Sequence, residues 1–366
     1  MLPDFSREVH CLLGLPFDAV NMAVAVQRIR AAAANRSQCF LSTPNLNFLI
    51  AAQSDTAFRN SVINSDLSIA DGIPMVWISR LLGIPIRERV AGSTLFDTLR
   101  HDSGKPLSVF FFGGADGVAE MACQRLTLEG KGLTCVGFET PGFGSIEEMS
   151  IAEVIQRINA SNADFLVVSL GARKGQAWIE HNRGRISVPV ISHLGAVVNF
   201  VAGTVKRAPV WMQNIGLEWL WRIKEDPMLW RRYTFDGLGL LNLLVTRVVP
   251  YAWFLFRHKP AGQELDSAAI ELFDDGAEII IRLRGAWVQD NLIPLRECFS
   301  SAVLAGRNVW INLEQVTYVD STFIGLLLLL YGDRKQQGKR LSVGNLNESV
   351  RKIFQYACAE FLLDAR

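Results

Sequence analysis

No cysteine pair of the Cys-x-x-Cys kind occurs in the chain. Its six cysteines, Cys11, Cys39, Cys123, Cys135, Cys298 and Cys358, are scattered. Their spacing argues against both a zinc site and a disulfide framework and suits a reducing cytosol. Neither charge is in excess: 37 Lys+Arg against 36 Asp+Glu leave a net charge of +1 over 366 residues. A dedicated nucleic-acid binder carries a basic surplus, so that class is set aside, and any anionic ligand must be held by a local cluster. Histidines number only five; His181 and His193 lack metal-ligand spacing and read as structural. Internal repeats and low-complexity tracts are missing. The opening MLPDFSREVHCLLG has early charges and no long apolar run, so a signal peptide is not expected. Charged residues make up only 20% and hydrophobic ones 49%, which excludes extensive disorder. The length predicts two domains.

Apolar residues are plentiful, with a mean hydropathy of +0.20, and they concentrate in GLGLLNLLVTRVVPYAWFLF, residues 237–256. This run is nearly long enough to span a bilayer. Arg247 and Pro250 interrupt it, and basic residues flank both ends, which removes any orientation bias. It reads as an interfacial or re-entrant segment. A helix buried against protein and a true span are the alternatives.

Up to about residue 205, short β-rich runs alternate with helical stretches. CFLST, LSIA, SVFFFGG, LTCVGF, DFLVVSLG and VPVISHLG read as strands. PNLNFLIAAQSDTAFRN reads as one helix, and SIEEMSIAEVIQRINA as another, opened by Ser145 and Glu148 at capping-box spacing. This alternation predicts a Rossmann-like α/β domain, a parallel sheet covered on both faces, over residues 1–207. Residues 208–258 form an aromatic, basic helical appendage with the apolar segment, suited to a membrane surface through 211–257. Residues 259–267 read as a linker, and 268–366 as a second, small α/β domain.

In open α/β sheets, ligands bind beyond the carboxyl ends of the strands. Thr43-Pro44-Asn45, Asp71-Gly72, Gly113-Gly114 and Leu170-Gly171 fall there. Asp71 is placed to be a general base, or a helix cap or Asx turn. Thr43 before Pro44 also fits a helix cap. Gly113-Gly114 permits either a close phosphate approach or a tight turn. Arg207, Arg222, Arg231 and Arg232 are matched to a diphosphate. Arg222 could instead pair with Glu218 one helical turn earlier, and Arg231 and Arg232 could contact anionic lipid.

Taken together, STPNLNFLIAAQSD, SDLSIADGIPMVW, ERVAGSTLFDTL, FFFGGADGVAE, ADFLVVSLGA and VAGTVKRAPVWMQNIGLEWLWRIKEDPMLWRRY resemble the WecB/TagA/CpsF glycosyltransferase family. The resemblance implies an inverting transfer, needing no metal or other cofactor, of a hexose or N-acetylhexosamine from a UDP donor. The implied acceptor is a polyprenyl-diphosphate-linked sugar of surface or exopolysaccharide biosynthesis. It implies Asp71 and Thr43 as the catalytic residues. Asn45, Gly113, Gly114, Gln176 and Arg207 complete the expected donor and diphosphate site, with Arg222, Arg231 and Arg232 delivered by the appendage. Two departures point to an altered donor pocket. Arg173-Lys174-Gly175-Gln176 stands where the family has Pro-Lys-Gln-Glu, and Thr94 and Asn199 stand where Asp is common.

NVWINLEQVTYVDSTFIGLLLLL resembles a STAS domain, the fold of anti-sigma-factor antagonists, with the match falling over 268–366. There the resemblance implies a phosphorylation site at Ser321, or a plain helix cap built from Asp320 and Ser321. STAS domains are cytosolic, so the expected location is the cytoplasmic face of the inner membrane, peripheral or monotopic. The STAS domain would regulate the enzyme or dock a protein partner. The rival expectation is a non-catalytic UDP-sugar-binding regulator that signals through STAS.

Overall fold

The computed structural model describes residues 3–142 and 144–364. It opens with an antiparallel hairpin, β1 (Val9–Leu12) and β2 (Leu15–Asp18). Its sequence carries no hairpin signature. VHCLLGLPFD is one apolar run, and the two-residue turn is Leu13-Gly14 rather than a recognisable Asn-Gly. Both turn residues have positive φ, 49° and 85°. A side chain on Gly14 would also lie 2.7 Å from the Cys358 carbonyl oxygen, which restricts the position to glycine.

The six anticipated strands are β3 (Cys39–Ser42), β4 (Leu67–Ser68), β5 (Leu107–Gly113), β6 (Leu133–Glu139), β7 (Phe165–Ser169) and β8 (Val190–His193). All pair in parallel, in the order β4-β3-β8-β7-β5-β6. Apart from Val136 and Phe138 on the edge strand β6, their Val, Ile and Phe side chains are buried on both faces, as a helix-covered sheet requires. Two helices differ from expectation. The run 44–60 is split into Leu46–Ser54 and Thr56–Ile63, because the Asp55 carboxylate accepts from Phe58 N and caps a second helix. The Ser145–Glu148 capping box forms in both directions, but the α-helix proper begins at Ala152 after a 3₁₀ turn.

The expectation of six unpaired cysteines is corrected. Cys123 on the helix Val118–Glu129 and Cys135 on β6 form a disulfide, with Cα atoms 5.1 Å apart. The helix folds back along the next strand and brings together two cysteines that no spacing motif connects. Cys11 and Cys39 are buried thiols, each pushed up to about 12 by burial.

The second domain is a four-stranded sheet ordered β12-β11-β10-β9. It comprises β9 (Ala269–Asp274), β10 (Glu278–Trp287), β11 (Asn308–Val319) and β12 (Leu341–Gly344). β9, antiparallel to β10, was not foreseen. Helices Ile293–Leu304, Ser321–Gln336 and Glu348–Tyr356 pack with it. The presumed linker is itself structured. It contains the helix Gly262–Asp266, whose Glu264 carbonyl lies against Gly285 of β10.

The apolar segment belongs to one helical rod, Leu229–Arg257. A π-turn at Leu244–Val248 widens it just ahead of Pro250, which has no N–H to continue an α-helix. By length and composition it could cross a membrane, with a mean hydropathy of 1.5. Its two sides differ. Leu243, Val248, Tyr251 and Phe254 are buried in the same core as the second domain. Phe235, Leu238, Leu241, Val245, Val249, Trp253 and Phe256, spaced three or four residues apart, are all more than half exposed. The buried-helix expectation therefore describes one side of the rod, and the other side is apolar and exposed.

Candidate active site

The loops that follow β3 and β4 are stitched together at the carboxyl end of the sheet. Ile69 N donates to the Ser42 carbonyl, Asp71 N to the Pro44 carbonyl and Val90 N to the Ala70 carbonyl. Gly72 has φ 152°, a conformation that favours glycine, and lies beside Asn45. This geometry frees the Asp71 side chain from the helix that follows, Ile73–Leu81. That helix is capped by Gly72 without a side-chain bond. The capping alternative for Asp71 is thus overturned. Its Oδ2 instead accepts from Gly92 N, 3.2 Å away, at the start of the helix Gly92–His101.

Thr43 is not a helix cap either. Asn45 takes that place and accepts from Phe48 N. Thr43 is buried, its methyl group facing Gly92 so closely that a Cβ there would come within 3.0 Å. Thr43, Asn45, Asp71 and Gly92 thus form one cluster.

Arg89 completes it, and nothing in its spacing had singled it out. Its Nη2 lies 2.7 Å from Glu218 Oε2 and 3.6 Å from Asp71 Oδ1. Burial raises the Asp71 carboxyl above the ordinary carboxylate range; Arg89 opposes this, and Glu218 adds to it. Glu218 opens the appendage helix Glu218–Glu225. The Glu218–Arg222 pairing considered above is therefore corrected: Glu218 reaches across to Arg89, because the appendage folds over the site. Gly216 rests on Ile73, and the Gln213 carbonyl accepts from Arg89.

Arg207 stands one helical face away. Its Nη2 donates to Thr94 Oγ1 at 3.1 Å and to Gln213 Oε1 at 3.3 Å, and its Nη1 faces Asp97. The departure at Thr94 thus touches a predicted site arginine directly. Asn199, the other departure, accepts from Thr204 through its carbonyl and amide oxygens. Arg222 is partly exposed, while Arg231 and Arg232 are exposed, over the rings of Trp230 and Tyr233 respectively. Among the described residues, none of these three is bonded to Asp71.

Gly113 and Gly114, at the end of β5, have φ of 91° and 95°. A side chain on Gly113 would strike the Ser169 carbonyl, whereas the space beside Gly114 is open to within 3.8 Å of Val198. Gln176 is fully buried and donates to Ser42 Oγ at 2.8 Å, beneath the Thr43 loop rather than on an exposed wall. Its Oε1 has no partner among the described residues. The glycine at 175 has a local reason, since a Cβ there would meet the His193 ring at 2.2 Å. His193 donates from Nε2 to the Leu170 carbonyl and is kept neutral by burial.

Ser321 lies outside this cluster, in the second domain. Asp320 caps its helix by accepting from Thr322 N and Phe323 N. The Ser321 hydroxyl takes no part in the cap; it is 3.1 Å from His10 Nδ1 on β1.

Comparison with known proteins finds two family matches along the chain. The model of the glycosyl transferase WecG/TagA/CpsF family matches residues 10–252. A model described as Mlab, STAS domain, matches 271–363. An N-acetylglucosaminyldiphosphoundecaprenol N-acetyl-beta-D-mannosaminyltransferase of Bacillus spizizenii is 30% identical over 194 residues, 53% of this chain and 74% of that one. The enzyme of the same name from Staphylococcus aureus (strain MW2) is 26% identical over 224 residues, 60% of this chain and 85% of that one. Among solved structures, the anti-sigma factor antagonist SpoIIAA in its unphosphorylated form aligns with 24% identity. It covers 26% of this chain and 86% of that one, at a TM-score of 0.25. The chain belongs to the WecG/TagA/CpsF family of glycosyl transferases and carries a STAS domain at 271–363.

Proposed function

We propose that this chain transfers a hexose or N-acetylhexosamine, with inversion, from a UDP donor to a sugar carried on a polyprenyl diphosphate. The observation that carries this reading is the Asp71 carboxylate, lifted out of its own helix, pinned by Gly92 N and flanked by Arg89. The acceptor hydroxyl oxygen attacks the anomeric carbon, Asp71 takes the hydroxyl proton, and the bond to UDP breaks with its electron pair left on the diphosphate. Arginines rather than a metal meet that charge. Arg207 is already oriented by Thr94 and Gln213, and Arg222, Arg231 and Arg232 are carried on the appendage. The open space beside Gly114 gives the donor phosphates room to approach the backbone, whereas Gly113 is held to glycine by the Ser169 carbonyl packed against it. The exposed side of the Leu229–Arg257 rod rests on the cytoplasmic leaflet, where the lipid acceptor lies. The STAS domain serves regulation, with Ser321 as its candidate phosphorylation site.

A panel of UDP-sugars with a lipid-diphosphate-GlcNAc acceptor in detergent tests the reading. One donor is expected to support transfer. Binding of UDP with no transfer from any donor would move the protein to the class of non-catalytic nucleotide-binding regulators.

Glu218 supplies a second test. Glu218→Gln removes a charge that raises Asp71 and releases Arg89 toward it. Both effects lower the Asp71 pKa, so the acid limb of the pH–rate profile should move to lower pH. At neutral pH, kcat/KM should drop about tenfold, a loss within the range found for coupled neighbours. An unmoved acid limb with unchanged kcat/KM would remove Glu218 from the site.

A further inference from the structure

The helix Ser321–Gln336 is apolar on every side, and twelve of its sixteen residues are buried. Such a helix needs protein on both sides. One side is covered by its own domain. The other carries Gly325 and Gly332, two turns apart and so on one side. A Cβ on Gly325 would lie 2.4 Å from the Val9 carbonyl oxygen of β1. A Cβ on Gly332 would lie 2.8 Å from Asn64 Oδ1, just past the helix Thr56–Ile63. Glycine here lets the catalytic domain come into backbone contact. The contact is closed at its end by His10, which is buried and held neutral by desolvation, at about 4. Its Nδ1 lies 3.0 Å from Thr322 Oγ1 and 3.1 Å from Ser321 Oγ.

This seat has continuations in two directions. In one, Asp18 at the end of β2 accepts from Ser68 N of β4 at 2.7 Å, three residues before Asp71. In the other, the STAS helix Glu348–Tyr356 holds the apolar rod. Arg247 donates to the Gln355 carbonyl and pairs with Glu360, while Tyr251 and Phe254 pack on Tyr356. The STAS domain therefore packs directly on the β1–β2 hairpin, which is bonded to the strand that precedes the candidate base, and on the apolar rod.

We propose that the STAS domain acts within its own chain: the glycine side of the Ser321 helix is a fixed seat for the β1–β2 hairpin, and through it the domain sets the position of the Leu229–Arg257 rod relative to Asp71. The inference rests on the membrane-facing reading of that rod. It makes this side of the STAS helix a mount for the transferase rather than a landing place for another protein.

The test uses the full chain with Gly325→Leu and, as a milder change, Thr322→Val. Two readouts are taken: amide hydrogen exchange, and transfer onto a vesicle-embedded acceptor compared with a short-chain water-soluble one. Both variants should speed exchange in 9–18 and in 243–257 together. Transfer onto the vesicle acceptor should fall about tenfold, with transfer onto the soluble acceptor held within about twofold. Opening of 9–18 with 243–257 unmoved, an equal fall on both acceptors, or fast exchange of 9–18 in the unaltered chain each overturns the proposal. If the unaltered chain transfers no sugar, the exchange pattern alone decides, so a failure of the catalytic reading has its own signature.

Discussion

Replacing Asp71 with Asn is expected to lower the rate of sugar transfer by about 10²–10⁴-fold, the usual contribution of a positioned general base. Asn is the informative change because it keeps the shape of the side chain. Its amide oxygen can still accept from Gly92 N, so the junction between the β4 loop and the helix Gly92–His101 survives. The Arg89–Glu218 pair also persists, since Glu218 is the nearer partner of Arg89. What disappears is the site for the proton. The active form carries an ionised Asp71, and burial raises its folded pKa. Activity should accordingly decline as pH falls through that raised value, at a higher pH than for a free carboxyl near 3.9. The residual activity of Asp71→Asn should lack this limb. Full transfer by Asp71→Asn, with the acid limb intact, would falsify the assignment of the base.

The parallel sheet and its ligand end were legible in the sequence because buried parallel strands are continuous apolar runs, and SVFFFGG and DFLVVS say so plainly. Asp71 was legible by position, but its freedom from helix capping was not. That depends on Gly72 at φ 152°, a conformation that spacing does not reveal. Arg89 was missed for a related reason. It lies in an irregular loop, ERVAG, and acquires meaning only from Glu218, more than a hundred residues away. The Cys123–Cys135 bond and the β1–β2 hairpin escaped because each depends on a tertiary approach: a helix folding back on a strand, and a strand pair laid on a helix of the other domain. The same holds for the apolar run 237–256. Hydropathy reports its total, whereas its role depends on which side packs, and that is decided by the helix Leu46–Ser54 and the second domain together.

The largest effect on location should come from the exposed side of the rod. Serine at Leu238, Leu241, Val245 and Val249 is expected to release the protein from lipid vesicles. Each of these side chains is more than half exposed in the folded chain. Little packing is lost on truncation, and the melting temperature should hardly move. Against a bilayer the same carbons count. Partial burial of each side chain contributes roughly 1 kcal/mol, so the four together amount to about 4 kcal/mol. That corresponds to roughly a 10³-fold drop in partition. The basic residues near the rod add a separate electrostatic part. Arg231, Arg232, Arg257 and Lys259 each contribute about 1 kcal/mol when close to an anionic surface, and salt screens this part. Unaltered protein should therefore bind anionic vesicles at low salt and retain part of its binding at high salt. The fourfold serine variant should lose the salt-resistant part and keep the salt-sensitive one. Transfer onto a short-chain soluble acceptor should be preserved, because Asp71, Arg89 and Glu218 are untouched. Vesicle binding by the variant that equals the parent at high salt would show that this side of the rod does not face lipid. The exposed row of Phe, Leu, Val and Trp would then have to be covered by protein instead.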